Sequence, residues 1–86
     1  MLNQVILVGR VNKLDKLAGI VTIDIKRQNC KESDLIPVSI VEGLMDNVLE
    51  YLKEGATIGV KASLNIDNNI LRIVGDKVTF INTKNE

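Results

Sequence analysis

Apolar and polar residues alternate along several short stretches of the chain, a pattern typical of β-strands with one buried face. Between Ile20 and Arg27, Val and Ile alternate with Thr, Asp and Lys. A first strand is predicted from Val5 to Val11, with a break at Gly9, where the missing side chain permits curvature or a close backbone approach. The polar residues between these two strands, ending at Gly19, predict a turn.

The next two predicted elements are a strand and a helix, which differ in the spacing of their apolar residues. Leu35 to Val41 predicts a third strand that contains the only proline, Pro37. Since proline cannot donate to a ladder, we expect it at a sheet edge or in a bulge. From Glu42 to Lys53 the apolar residues recur on one helical face, which predicts a helix that ends before a capping glycine, Gly55.

The remaining residues predict a β-hairpin. A strand from Ile58 to Ile66 is followed by Asp67-Asn68-Asn69, a tight turn, because asparagine tolerates positive φ. The last strand, Ile70 to Phe80, is interrupted at Gly75-Asp76. Three strands, a helix and two strands form the layout of the OB-fold, an all-β Greek-key barrel. We predict one such domain over residues 1–82 with a frayed end at 83–86; an α+β meander of the same element order is the alternative.

Composition excludes several classes of function. The 86 residues include 11 basic and 11 acidic side chains, one cysteine and no histidine. Without histidine or a cysteine pair, we expect no metal site, no cofactor and no catalytic residues, and hence no enzyme. We find no signal peptide and no stretch of membrane-spanning length, and the single cysteine suits a reduced cytoplasmic setting. Binding to a polyanion would need a local cluster of cations, because the net charge is zero.

Three stretches resemble the bacterial single-stranded-DNA-binding protein family: Leu2 to Arg10, Leu35 to Val38, and Asn47 to Gly55. Their order and spacing match the start of the family's first strand, its third strand, and the helix that leads into its fourth. The resemblance implies an OB-fold and sequence-independent binding of single-stranded DNA in replication, recombination or repair. It also implies a homo-oligomer, a dimer or a tetramer, with Gln4, Ile6 and Val8 at the subunit interface.

The chain departs from the family in its aromatic residues. Bases commonly stack on rings in such proteins, at about 1–3 kcal/mol for each base. This chain has only Tyr51 and Phe80, and the family's rings on the third strand correspond here to Leu35 and Val41. We therefore expect cations to contact the nucleic acid, since guanidinium groups both pair with phosphate and stack on bases. The candidates are Arg10, Lys26, Arg27, Lys31, Lys61 and Arg72.

Other interpretations remain open from the sequence. The cations also fit an ordinary solvated surface. The family resemblance includes a primosomal protein B branch, which implies an interaction module that bridges replication or primosome proteins and binds DNA weakly or not at all. A third interpretation is a degenerate paralogue that retains oligomerisation alone.

Overall fold

The computed structural model describes residues 1–40 and 53–82 and shows five strands. Their hydrogen-bonded order is β1-β2-β3-β5-β4 in a closed barrel, which confirms the predicted five-stranded OB-fold. The predicted helix falls almost entirely on residues 41–52 and, like Val41, Tyr51 and the tail 83–86, lies outside the described residues. Gly55 has a φ of 92°, in the left-handed region that favours glycine. The strands are β1 (Val5–Asp15), β2 (Ile20–Lys26), β3 (Ser33–Ile40), β4 (Thr57–Asp67) and β5 (Ile70–Asn82).

The barrel interior is filled by small and branched aliphatic side chains. In β2, Val21 and Ile23 are fully buried while Lys26 is exposed, as the period-2 pattern predicts. No polar or charged side chain is buried among the described residues. The buried core consists of Val11, Val21, Ile23, Val38, Ile40, Ala56, Ile58, Val60 and Ala62.

Strand β1 is longer and more regular than predicted. It continues to Asp15, and its register with β4 runs unbroken past Gly9, so the predicted break there is wrong. The irregularity is a bulge between Val11 and Lys13. The predicted close approach does occur, because a Cβ on Gly9 would contact the Asp24 carbonyl oxygen and lie 2.8 Å from Ile23 Cγ2. Glycine is therefore required here by the close approach of β2.

β1 changes partners along its length. Val5–Arg10 pairs with β4, whereas pairing with β2 begins at Arg10 and runs to Asp15. Arg10 is thus the residue that pairs on both sides, opposite Asp24 and Thr57. Within the described part of the chain, residues 5–9 have no strand on their second edge.

The strand pairing shows the outcome of two predicted irregularities, Pro37 in β3 and the interruption at Gly75-Asp76 in β5. Pro37 lies opposite Thr22 with no register shift, and β3 pairs with β5 at Ser39 and Ile40. Pro37 therefore lies beyond the β5 contact, at an open edge, as predicted. Strand β5 does not split; its register with β4 shifts at Lys61/Ala62, which leaves Asp76 as the bulged residue.

The β4–β5 hairpin projects beyond the barrel. Ala62 is the last buried residue of β4, and Leu64 and Ile66 are exposed although they continue the inward-facing row. The hairpin ends in a two-residue turn, with φ values of 53° at Asn68 and 64° at Asn69, as the asparagines predict. We call residues 64–73 the arm. No helix in the described residues is long and apolar enough to cross a membrane.

We predict that Gly9→Ala destabilises the barrel by about 1–3 kcal/mol, because overpacking moves side chains or backbone. Urea denaturation of the two proteins measures the difference. The control is Gly59→Ala, since a Cβ on Gly59 has its nearest neighbour at 3.5 Å, an ordinary contact. Equal stability of the Gly9 variant and the wild type would contradict the packing argument.

Candidate nucleic-acid interface

A cationic groove lies on the outer face of the barrel where β1 and β2 meet. Its volume is about 410 Å³. The pairing of the strands brings its residues together: Arg10 of β1 lies between Asp24 of β2 and Thr57 of β4, and Lys26 of β2 lies opposite Ser33 of β3. Three of the six predicted cations are brought together here. We call it the cationic groove; it is lined by Val8, Gly9, Arg10, Asp24, Lys26, Lys31, Ser33 and Thr57.

The cations of this groove are available to a ligand. None of Arg10, Lys26 and Lys31 forms an ion pair with a described acid, and Asp24 is the one carboxylate in the lining. The lining therefore carries a net charge of about +2 on a protein whose total is zero. Such a local excess favours an anionic ligand without any help from the overall charge.

Arg27, the fourth predicted cation, is already paired. Its guanidinium donates two hydrogen bonds of 2.9 Å to the Asp34 carboxylate and lies 3.6 Å from Glu32. These hydrogen bonds, together with the charge of Arg27, lower the pKa of Asp34. Arg27 is bonded to the β2–β3 loop through its backbone as well, since its N–H donates to the Glu32 carbonyl oxygen. It is a poorer candidate for a phosphate contact than its neighbour Lys26.

Arg72 lines a second, apolar groove between the arm and the β2–β3 strands. The groove has a volume of about 380 Å³, and Arg72 Nε lies 3.6 Å from the Asp67 carboxylate. Both members of this ion pair are more than half exposed, so the pair restrains Arg72 only weakly. We call it the apolar groove; it is lined by Ile20, Ile36, Pro37, Ser39, Ile70, Leu71, Arg72 and Ile73.

One face of the β2–β3 ladder connects the two grooves. Ile20 is paired with Ser39 at the apolar end, and Lys26 is paired with Ser33 at the cationic end. Between them on the same face lie the pairs Thr22–Pro37 and Asp24–Leu35. At about 3.4 Å for each residue, this outer strip is about 20 Å long. Leu35, in the middle of the strip, is 56% exposed.

Lys61 lies apart from the cationic groove. It is exposed on β4 opposite Ile6 of β1 and Lys77 of β5, so it shares a face with the predicted subunit interface. Ile6 and Val8 project outward there, 69% and 53% exposed. Ile81 extends this apolar surface, because its Cδ1 lies 3.5 Å from the position of a Cβ on Gly59.

Several residues of these surfaces were missed from the sequence. Thr57 and Ser33 line the cationic groove, and Ile70 and Leu71 line the apolar groove. The sequence gives little indication of these residues, because Ile70 and Leu71 are exposed only through the extension of the arm beyond the barrel.

The described residues contain no group of three or more side chains that could hold a metal ion, and Cys30 is an exposed free thiol. Phe80 is 37% exposed.

Bacterial relatives cover the full chain. Single-stranded DNA-binding protein 1 of Clostridium acetobutylicum is 30% identical over an alignment of 108 positions, which covers 99% of this chain and 98% of that protein. Single-stranded DNA-binding protein 2 of Staphylococcus aureus is 31% identical over an alignment of 107 positions, which covers 99% of this chain and 76% of that protein. No family model matches the chain.

Solved structures share the barrel. The mitochondrial single-stranded DNA-binding protein Rim1 of S. cerevisiae superposes with a TM-score of 0.80 at 16% identity, over 95% of this chain and 97% of that one. The dimeric N-terminal domain of PriB from Thermoanaerobacter tencongensis superposes with a TM-score of 0.65 at 20% identity, over 92% and 96%. At these identities the likeness shows the fold alone.

We predict that Asp34 titrates below its ordinary pKa and that Arg27→Ala raises its pKa toward the ordinary value. Since the folded-state pKa is lowered, the contribution of the ion pair to stability is present above the unfolded-state pKa and is lost as the pH falls through the folded-state pKa. The ¹³C shift of the carboxyl carbon against pH measures the effect. Glu32→Gln is the control and leaves the pKa of Asp34 lowered; an unchanged pKa in the Arg27 variant would refute the assignment.

Proposed function

The chain belongs to the single-stranded DNA-binding protein family, and on this premise we propose that it binds single-stranded DNA without sequence preference along the outer strip of β2 and β3. The observation that supports the proposal is the continuity of the strip, which joins the cationic groove to the apolar groove. OB-folds present the faces of strands 2 and 3, together with the loop between strands 4 and 5, to oligonucleotides.

The cationic groove is the proposed phosphate contact. Arg10, Lys26 and Lys31 lie at one end of the strip without ion-pair partners among the described acids. Binding of a polyanion there releases counterions, so affinity falls as salt rises. Ser33 and Thr57 add hydroxyl groups that donate hydrogen bonds to phosphate oxygens without reading sequence.

The apolar half of the strip is the proposed base contact. Leu35, Leu71 and Pro37 expose aliphatic surface there, in place of rings. An aliphatic surface buries the face of a base but lacks the quadrupole of an aromatic ring, so each contact is weaker than ring stacking. The guanidinium of Arg72 beside them offers one planar group for stacking. We propose a low intrinsic affinity that depends strongly on the cations.

We further propose that the protein acts as a homo-oligomer joined through β1. The open edge of residues 5–9 leaves backbone groups free to pair with a second copy. Gln4, Ile6 and Val8 flank that edge, and the apolar area of Ile6 and Val8 is exposed in the single chain. Linked sites raise the overall affinity without new contacts, which offsets the weak base contacts.

A second candidate function is a primosomal-protein-B-like module that bridges replication or primosome proteins. It is supported by the absence of an aromatic ring from the linings of both grooves in the described residues. This candidate requires little or no DNA affinity in the isolated protein. In either function we propose no catalytic step, and we place the protein in the cytoplasm, where the bacterial chromosome lies.

We predict that a fluorescently labelled oligo-dT binds the protein with an affinity that decreases as salt increases. The substitution of Arg10, Lys26 and Lys31 together by alanine should weaken binding at low salt by at least about tenfold. It should also reduce the slope of log affinity against log salt by about 2, since each lost phosphate contact on a single strand contributes about 0.7. Fluorescence anisotropy at several salt concentrations measures both quantities.

The matched variant removes the same number of charges by substituting alanine for Arg27, Lys61 and Lys77. We expect a smaller loss, because Arg27 is paired with Asp34, and Lys61 and Lys77 lie opposite each other on the β4–β5 ladder, outside both grooves. Equal losses in the two variants would reject the cationic groove as the main contact. No binding by the wild type even at low salt would favour the bridging module.

We predict that Ile6→Lys shifts the protein to monomer, because a charge on the exposed face beside the open edge opposes pairing. Light scattering coupled to size-exclusion chromatography measures the mass. Leu17→Lys makes the same change at a residue that is fully exposed in the β1–β2 turn, and it should leave the oligomer intact. An oligomer that persists in the Ile6 variant would remove this face from the interface.

A further inference from the structure

The side chain of Asn3 is hydrogen-bonded to both backbone groups of Leu64. Asn3 Nδ2 donates to the Leu64 carbonyl oxygen at 2.8 Å, and the Leu64 N–H donates to Asn3 Oδ1 at 2.9 Å. A carboxamide carries the same donor and acceptor as a peptide group, so the pair reproduces one rung of a β-ladder. The two residues are 61 positions apart in the chain, so the contact links the start of β1 to the base of the arm.

The position of this rung follows the register of the barrel. β1 and β4 pair from Arg10–Thr57 to Val5–Ala62, and continuing that register by two residues brings Asn3 opposite Leu64. The backbone pairing stops at Val5, and residues 1–4 are not in a strand. The side chain of Asn3 thus supplies the rung that its backbone does not.

Leu64 is where β4 leaves the barrel. Ala62 is 1% exposed, whereas Leu64 is 39% and Ile66 is 69% exposed. On the β5 side, the last register pair that holds the hairpin to another strand is Val74 with Ser39 of β3. Beyond these points the strands of the arm pair with each other, so the Asn3 side chain provides the outermost hydrogen-bonded attachment of the arm to the start of the chain among the described residues.

We propose that Asn3 is a positioning residue: its carboxamide fixes the angle of the arm and thereby the width of the apolar groove. One wall of that groove is Ile70, Leu71 and Ile73 of the arm, and the other wall is formed by β2 and β3. A change in the angle at Leu64 moves the first wall relative to the second. The consequence for binding rests on the proposed function, since the apolar groove is the proposed base contact.

The first test uses Asn3→Asp and needs no DNA. At neutral pH the introduced carboxylate cannot donate to the Leu64 carbonyl oxygen and is repelled by it, which weakens the paired contact as a whole, so we expect hydrogen-exchange protection of the Leu64 amide to fall about three- to tenfold. Below the pKa of the introduced carboxyl, its O–H restores the missing donor, and protection should return to the wild-type value at the same pH.

Two further variants separate positioning from general effects. Asn12→Asp adds the same charge on β1 at a residue with an exposed side chain, and it should show no loss of protection at Leu64 and no acid recovery. Asn3→Ala loses both hydrogen bonds and should lose protection at every pH. Unchanged protection of Leu64 in Asn3→Ala, or no recovery of Asn3→Asp in acid, would overturn the proposal.

The second test measures oligo-dT affinity at neutral pH. We expect both Asn3 variants to bind about three- to tenfold more weakly than wild type with an unchanged salt slope, because the phosphate contacts of the cationic groove remain. Full affinity in a variant that has lost protection at Leu64 would overturn the positioning role. Failure of the wild type to bind is a different result, which rejects the proposed function while hydrogen exchange still decides the position of the arm.

Discussion

Closure of the barrel through β1 is the constraint on which the other features depend. A closed five-stranded sheet requires β1 to pair with β2 and with β4, and the change of partner occurs at Arg10. Next to that point the chain passes so close to β2 that only glycine fits, at Gly9. Among the described strands, the same change leaves residues 5–9 with an open edge, and it places Arg10 in the lining of the cationic groove.

Much of the fold could be predicted because period and turn chemistry are local properties. The alternation in β2, the edge position of Pro37 and the Asn68-Asn69 turn each follow from a few adjacent residues. The bulge after Val11 and the extension of β1 to Asp15 could not be read in this way. They arise because the strand must coil around a closed barrel. The polar residues at positions 12, 13 and 15 give no sign of this in the sequence.

The cations of the candidate site could be predicted from the sequence. Which of them lie together in the cationic groove, and which are paired with acids or lie elsewhere, could not. Alternation assigns Lys26 and Arg27 to opposite faces, yet it cannot show that Asp34 lies within reach of Arg27. That contact depends on the register between two strands and on the loop that joins them. Lys61 illustrates the same limit, since its neighbours Ile6 and Lys77 come from distant parts of the chain.

The parallel pairing of β3 with β5 has a consequence for how the barrel assembles. It joins two residues of each strand, Ser39 with Val74 and Ile40 with Gly75, across 35 positions of the chain. Every other ladder is antiparallel and longer, and the β2–β3 and β4–β5 ladders form between strands adjacent in sequence. Loop-closure entropy therefore favours early formation of the three ladders between strands adjacent in sequence, β1–β2, β2–β3 and β4–β5, whereas the long-range β1–β4 ladder and the β3–β5 seam close the barrel late. Of these two closing ladders, the β3–β5 seam has two register pairs and the β1–β4 ladder has six, so the seam is where the native barrel should open most easily.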